Sequence, residues 1–208
     1  MRIIKPSFEY VSAPDGATAL RNIEMCGRTC YKSEDKMTEE SAARFIAMII
    51  KSGHTSVLEH EKVTVKIVCD RGVTHEIVRH RMASYSQEST RYCNYSKDKF
   101  GNELTFIEPC FLERGTELYA LWEKGCRDAE ENYFAMIKAG AKAEEARSLL
   151  PNSIKTEIAV TMNFREWRHF FGLRLASRAH PQMREIAFML FEDMKVRYPV
   201  IFDDIKAE

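Results

Sequence analysis

Between Thr38 and Cys69 the apolar residues change their spacing once, and that change restricts the chain to folds that mix helix with strand. In "TEESAARFIAMIIKSG" the residues Ala42, Phe45, Ile46, Ile49 and Ile50 recur at helical spacing, with acidic residues in the first turn and Gly53 closing it. In "KVTVKIVC" the residues Val63, Val65 and Ile67 point one way and Thr64, Lys66 and Val68 the other, which is the alternation of a half-buried strand.

The same reading extends along the chain. "MRIIKPSFEYV" predicts a short strand broken at Pro6, and a helix follows "APDG" from about Ala17 to Tyr31. A short helix is expected from Val73 to about Ala83, then an ordered loop over "SYSQESTRYCNYS". "ELTFIEP" reads as a strand. A long amphipathic helix runs from about Arg114 to Ala139, with Leu118, Leu121, Trp122, Tyr133, Met136 and Ile137 on its buried side. "KAEEARSLL" is a brief helix stopped by Pro151, "IKTEIAVTMN" a strand ending at Asn163, and two more helices cover Arg165 to about Arg178 and Gln182 to about Arg197. Isolated strands among several helices predict an α+β fold, a mainly antiparallel sheet packed with helices, and one domain over residues 1–208.

Charge and composition exclude several functions. The 31 basic and 31 acidic side chains cancel, which argues against a broad nucleic-acid footprint. No apolar run approaches the roughly 18 residues that cross a bilayer. "MRIIKPSFEY" carries a proline and charge where a leader keeps its apolar segment, so a cytoplasmic protein is expected, with no membrane partner. The six cysteines (Cys26, Cys30, Cys69, Cys93, Cys110 and Cys126) form no CxxC pair and read as reduced thiols. Cys26 and Cys30 share a helix face and read as packing residues in preference to a metal pair. No glycine-rich loop follows a strand, so any nucleotide or cofactor must be held by side chains.

The densest chemistry lies in "RHRMASYSQESTRY", Arg79 to Tyr92. Just before it, "HEIVRH" superficially resembles a zinc-protease signature. Its histidines, His75 and His80, are five apart and would diverge by about 140° on a helix, so no metal site is expected. On the same helix Arg79, His80 and Arg81 would fan in three directions. Arg81 would follow the apolar direction of Val73, Ile77, Val78 and Met82, while Arg79 would lie beside His75 and Glu76. Two readings stay open for these arginines: binding groups, or an internally paired Arg81 and an Arg79 that bridges Glu76.

A second helix repeats the pattern, for Arg174 continues the stripe of Trp167, Phe170 and Phe171 while Arg165 and His169 share another face. In the loop, Ser84, Ser86, Ser89 and Thr90 offer hydroxyls, Arg91 can grip phosphate, and Gln87 can read a polar base edge. A serine-rich turn that satisfies its own backbone is the competing reading. His54, between Gly53 and Ser56, sits at the mouth of a turn, as a structural or a catalytic group. These residues imply a side-chain-built site for an anionic, polar, planar ligand.

Arg79, His80 and Arg81, then seven residues, then Ser89, resemble the RHR-x7-S signature of the flavin-dependent thymidylate synthases, the ThyX family. "GHTSVLEH", "ARSLLP" and "NFREWRHFFGLR" are similar to three further family segments, in family order. The resemblance implies reductive methylation of dUMP to dTMP, with carbon from 5,10-methylenetetrahydrofolate and a hydride from NADPH passed through FAD, in a homotetramer with shared active sites. It implies FAD contacts from Ser56, Arg79, His80, Arg81, Gln87, Asn163, Arg165 and His169. It assigns dUMP to Glu76, Arg79, Gln87, Ser89, Thr90, Arg91, Arg147 and Arg174, with Arg174 catalytic against the uracil and His54 placed near flavin and substrate. No cysteine serves as nucleophile in that family, and Ser89 is a ligand contact.

The chain departs from the family at Ser86-Gln87, where many members have Asn-Glu, and at Glu76, where others often have Gln. "LASRAHPQ" is longer than in several relatives, leaving Arg178 and His180 as alternatives for a flavin-side place. The rival function is an RNA or single-stranded nucleic-acid module that stacks bases on Tyr85, Tyr92 and Tyr95.

Overall fold

The computed structural model describes residues 1–206. In chain order it has strands β1 (Arg2–Ile4) and β2 (Ser7–Ser12), helices α1 (Gly16–Tyr31) and α2 (Ser41–Lys51), strand β3 (Lys62–Asp70) and helix α3 (Arg71–Ile77). Strands β4 (Ala83–Gln87) and β5 (Thr105–Ile107) follow, then helices α4 (Glu117–Lys138) and α5 (Ala143–Ala146), strand β6 (Lys155–Asn163), and helices α6 (Phe164–Arg174), α7 (Pro181–Arg197) and α8 (Pro199–Phe202). This is the α+β class expected, built on an antiparallel sheet of four strands in the order β2-β3-β6-β4. One pair departs from that pattern: β1 and β5 run parallel, with Arg2 opposite Thr105 and Ile4 opposite Ile107.

The local signals explain most boundaries. Asp15 caps α1 by accepting from the Thr18 N–H at 3.0 Å, and Asp70 caps α3 by accepting from the Val73 N–H at 2.8 Å. In α2 the predicted stripe buries Phe45, Ile46 and Ile49, but the acidic residues precede the helix and do not fill its first turn. Gly53 stands just past the helix end at a φ of +73°, a conformation that favours glycine. Pro6 separates two strands where one broken strand was expected, and Pro181 is the first residue of α7, where its missing N–H is harmless.

Packing divides the chain into two compact units. The first comprises Met1–Phe8, Ile67–Arg79 and Ser86–Ile158. Its core joins Tyr95, Leu104, Phe106, Cys126, Tyr133, Ala146 and Ile154. Here the expected face of the long helix holds at Tyr133, which is buried, and at Trp122, Met136 and Ile137, which pack against the core, but not in its first turns, where Leu118 and Leu121 are 66% and 60% exposed while Tyr119 is buried. Hydrogen bonding selects that face. The Tyr119 hydroxyl donates to Glu108 Oε1 at 3.1 Å, and the Tyr133 hydroxyl accepts from the Tyr95 N–H at 3.4 Å.

The second unit comprises Glu9–Lys66, His80–Tyr85 and Ala159–Glu208. Trp167, Phe170 and Phe171 of α6 are fully buried, and the ring of Phe171 lies 5.3 Å from Phe191 of α7 and 5.5 Å from Phe202 of α8. Each such aromatic side chain removes about 150–250 Å² from water, so this cluster anchors α6. The Trp167 indole N–H is satisfied by the Val63 carbonyl at 3.2 Å. A rigid α6 fixes what projects from its other side.

Candidate active site

Strand β6 ends at Asn163, whose side chain accepts from the Glu166 N–H at 2.8 Å and so starts α6. The first turns of the helix then direct Arg165, Glu166 and His169 into a cavity of about 330 Å³, closed also by Glu59, Met82 and Asn163. Arg165 donates to Glu59 Oε1 at 2.5 Å. The predicted division of α6 is therefore observed: an aromatic side packed inward, and Arg165 and His169 exposed on another. A larger hollow of about 420 Å³ beside Arg28, Lys36 and Arg44 contains none of the candidate site residues.

His80 is the buried member of the site, at 3% exposure. Its Nε2 accepts from Arg174 Nε at 3.0 Å, its Nδ1 lies 3.4 Å from Glu166 Oε1, and its ring packs 4.9 Å from Phe170 and 5.8 Å from His169. Burial first, then the Arg174 and His169 charges, push its pKa down to about 4, so the imidazole is neutral at pH 7. Burial raises the Glu166 carboxyl above its ordinary value. Arg174 is half-buried at the end of the aromatic stripe, where a reduced local dielectric strengthens its field.

The expected helix through Arg79–Arg81 is corrected. Helix α3 stops at Ile77, Val78 and Arg79 form a turn, and His80 and Arg81 lie outside any helix or strand on the way into β4. The chain opens here because the His80 ring inserts against Phe170 and its carbonyl accepts from the Tyr85 hydroxyl at 2.5 Å. Tertiary packing outweighs local helix preference. Arg81 consequently does not lie in a buried stripe: it is exposed, and so are Val78 at 39% and Met82 at 69%. The expected loop also begins as strand, since Ala83–Gln87 is β4.

In the first unit, the Gln87 amide donates to Thr74 Oγ1 at 3.0 Å and Thr156 Oγ1 at 3.3 Å. Arg147 Nη1 reaches Thr90 Oγ1 at 3.5 Å, the Arg91 N–H donates to Ser89 Oγ at 3.4 Å, and Arg91 Nε stands 4.0 Å from Glu144. Arg147 and Thr90 are thus neighbours, as are Ser89 and Arg91. Glu76 is half-buried, Arg79 exposed. The loop after β4 is held by Glu88, which accepts from the Tyr95 hydroxyl at 2.9 Å and from Lys155 Nζ at 3.0 Å.

In the second unit, His54 is exposed with Nδ1 2.9 Å from the Tyr31 hydroxyl, and Ser56 is exposed in a 3-10 turn over Thr55–His60. Arg178 and His180 are both exposed. The base-stacking ladder of the rival reading is not presented, because Tyr95 is 7% exposed and the Tyr85 hydroxyl is bound to His80. Only Tyr92 of the three stands out from the surface, at 77%.

Sequence reasoning missed Glu166, Tyr85, Glu59 and Met82. Glu166 carried a signal of another kind, since an Asn followed three residues later by Glu reads as a helix start. Its proximity to His80 and His169 is a product of the fold: one ligand atom from each lies within 4.8 Å of the others. That His2Glu set differs from the rejected His75–His80 pair, and His80 is not on a helix at all.

Fold and site together define an α+β protein that builds a polar site from side chains on an aromatic-backed helix, α6, and on the segment that leads into β4. The family model described as "Thymidylate synthase complementing protein" matches residues 15–200. A flavin-dependent thymidylate synthase of Pyrococcus furiosus is 39% identical over 185 residues, covering 88% of this chain and 73% of that one. The flavin-dependent thymidylate synthase of Geobacter sulfurreducens is 35% identical over 203 residues, covering 94% and 84%. Among solved structures, the UMP/dUMP methylase PolB of Streptomyces cacaoi, bound with 5-Br dUMP, superposes with a TM-score of 0.79 at 23% identity, covering 98% of this chain and 96% of that one; it shares the fold. The chain belongs to the flavin-dependent thymidylate synthase family of enzymes.

Proposed function

We propose that the protein makes dTMP from dUMP in the cytoplasm by reductive methylation, taking carbon from 5,10-methylenetetrahydrofolate and hydride from NADPH through FAD. The observation that carries this reading is the Arg174–His80–Glu166 cluster at the edge of a cavity whose rim includes Asn163, Arg165 and His169. His80, Asn163, Arg165 and His169 are positions at which the family resemblance expects flavin, and Arg174 one at which it expects the pyrimidine; Glu166 is added by the fold.

The residues present fit part of a flavin. A cavity of about 330 Å³ lies at the small end of ligand pockets, which span ~300–1,000 Å³, and suits one planar head with polar edges. Asn163, Arg165, His169 and His80 would hold it, with Met82 as an apolar contact. A homotetramer with shared sites would supply the rest of the enclosure. When bound, FAD would supply the carrier through which the hydride of NADPH reaches the substrate.

The protein's own groups do the binding and the electrostatics. Arg147 and Arg91 are suited to the dUMP phosphate, with Ser89 and Thr90 hydroxyls beside them. Arg174 faces the uracil and stabilises negative charge as C5 becomes nucleophilic, an interaction aimed before reaction begins. A neutral His80 supports this, because an imidazolium beside Arg174 would repel it. No cysteine is required: burial pushes the thiols of Cys69 and Cys126 up, away from the reactive thiolate. His54, with Nδ1 engaged by Tyr31, can present its other nitrogen to flavin or substrate.

An assay of dTMP from dUMP, methylenetetrahydrofolate and NADPH, run with and without added FAD, tests the reading. FAD-dependent dTMP is expected. A protein that neither gains flavin absorbance with FAD nor forms dTMP would refute it.

A further inference from the structure

The neutral imidazole of His80 has one donor and one acceptor, and which nitrogen is which depends on its surroundings. Arg174 settles one side. Its guanidinium is always protonated, so Nε can only donate, and the Nε2 atom 3.0 Å away must be the acceptor. The proton of His80 therefore belongs on Nδ1. The carboxylate facing Nδ1 is that of Glu166, whose Oε1 lies 3.4 Å away, an electrostatic contact longer than an ordinary N–H···O hydrogen bond, from a side chain only 11% exposed. Phe170 packs against the ring and offers no competing polar group. The backbone of His80 is held separately by the Tyr85 hydroxyl on its carbonyl.

We infer that Glu166 is a positioning residue: it keeps the His80 proton on Nδ1, so that Nε2 holds and aims the Arg174 guanidinium. This role rests on the proposed function of Arg174 at the pyrimidine. A glutamate in the first turn of a helix is also stabilising at a helix N-terminus, and that role would be met by any acid pointing to solvent. Glu166 instead turns its carboxylate to a buried ring. Without it, Nδ1–H would lose the negative charge that faces it, and the tautomer with the proton on Nε2 would set two donors against each other at Arg174. The guanidinium would then leave its aimed position while the phosphate-binding groups stayed in place.

The test is the His80 tautomer, read by long-range 1H–15N correlation on the full chain with 15N-labelled histidines and assigned by loss of the signal in His80→Gln. Wild type should carry the proton on Nδ1. Glu166→Ala should shift the population toward Nε2–H and lower kcat for dTMP by about tenfold or more, with KM for dUMP within about twofold. Glu166→Gln, whose amide oxygen can still accept from Nδ1, should restore the tautomer and most of the turnover. An Nε2–H tautomer in wild type, or Glu166→Ala with unchanged tautomer and kcat, overturns the inference. If Glu166→Ala does not fold, the wild-type tautomer and the Glu166→Gln comparison decide it. Failure of wild type to form dTMP would instead refute the proposed function, while the tautomer measurement would still report on Glu166.

Discussion

Arg174 Nε donates a 3.0 Å hydrogen bond to Nε2 of His80, which lies 94 positions earlier in the chain. The bond joins the end of an aromatic-backed helix to the middle residue of the Arg79–Arg81 triplet. It requires a neutral imidazole, and burial supplies one by holding the His80 pKa at about 4. One interaction thus fixes a cation and selects the protonation state of its partner.

Arg174→Ala should abolish dTMP formation while leaving NADPH-driven flavin reduction partly intact, because the arginine acts on the pyrimidine. Arg174→Lys should fare little better, since an ammonium lacks the planar fork that can hold His80 and face a ligand at once. Stopped-flow flavin absorbance and a dTMP assay separate the two half-reactions. Preserved dTMP turnover in Arg174→Ala would refute the assigned role.

His80 also predicts a pH dependence of stability. Its folded pKa of about 4 lies below the ordinary 6.5, so between these values the unfolded chain binds the extra proton. Stability from this group is complete above about pH 6.5 and is lost as pH falls toward 4, by up to ~3 kcal/mol. The raised Glu166 carboxyl acts in the opposite sense, favouring the folded state at low pH and losing that contribution as pH rises. Urea midpoints of wild type and His80→Asn, compared at pH 7 and pH 5, isolate the histidine. The variant should lose less stability on acidification, and parallel losses would contradict the assignment.

The helices and strands with their own caps and periods were legible in sequence: α1 behind Asp15, α2 ahead of Gly53, β3 by alternation, and β6 ending at the Asn163 cap. The Arg79–Arg81 segment was not. No glycine or proline marks the end of α3, and what stops it is a ring seated on Phe170 from a helix that begins over 80 residues later. The buried side of α4 was misplaced only in its first turns, at Leu118 and Leu121, for a related reason. Leucines outrank a tyrosine in a hydrophobicity count, yet Tyr119 is the residue there whose hydroxyl finds a partner. Among the residues of the site, Arg174 was legible from the aromatic stripe of α6 and Arg165 and His169 from its other face, whereas Glu166 was hidden behind its capping pattern and His80 behind a helix that does not reach it.

Gln87 departs from the Glu that the family resemblance expects, and its surroundings explain the amide. Thr74 spends its hydroxyl proton on the Arg71 carbonyl at 2.8 Å, so it can only accept from position 87. Gln87→Glu would face that oxygen with an acceptor. A loss of about 1 kcal/mol is expected, with Thr156 turning its hydroxyl to compensate in part. Thermal melts of Gln87→Glu and of the Gln87→Glu/Thr74→Val pair measure it. The second change removes the clashing oxygen, and no recovery in the pair would count against this account.

Gly27 lies in α1 where a Cβ would come 2.5 Å from Phe45 Cε1 of α2. Phe45 cannot easily give way, being 5% exposed with the Arg28 guanidinium 4.4 Å from its ring centre. Alanine would gain about 1 kcal/mol in helix propensity but pay ~1–3 kcal/mol in overpacking. Gly27→Ala should therefore be net destabilising, by about 1 kcal/mol. Equal or greater stability in a chemical denaturation experiment would show that the two helices separate freely at this point.

The last prediction concerns the thiols. Cys69 and Cys126 are 1% and 2% exposed, and burial raises both. Cys126 Sγ lies 3.5 Å from Ser153 Oγ, a packing and hydrogen-bonding role that alanine only weakens. All six single Cys→Ala variants should still form dTMP, while Cys69→Ala and Cys126→Ala lose about 1 kcal/mol of stability for the buried volume removed. Turnover must be measured below the melting temperature of each variant, because a loss of folded protein would imitate a loss of chemistry. A folded variant that binds dUMP and FAD yet forms no dTMP would identify a nucleophilic cysteine and overturn the mechanism in which Arg174 activates the pyrimidine without a covalent bond.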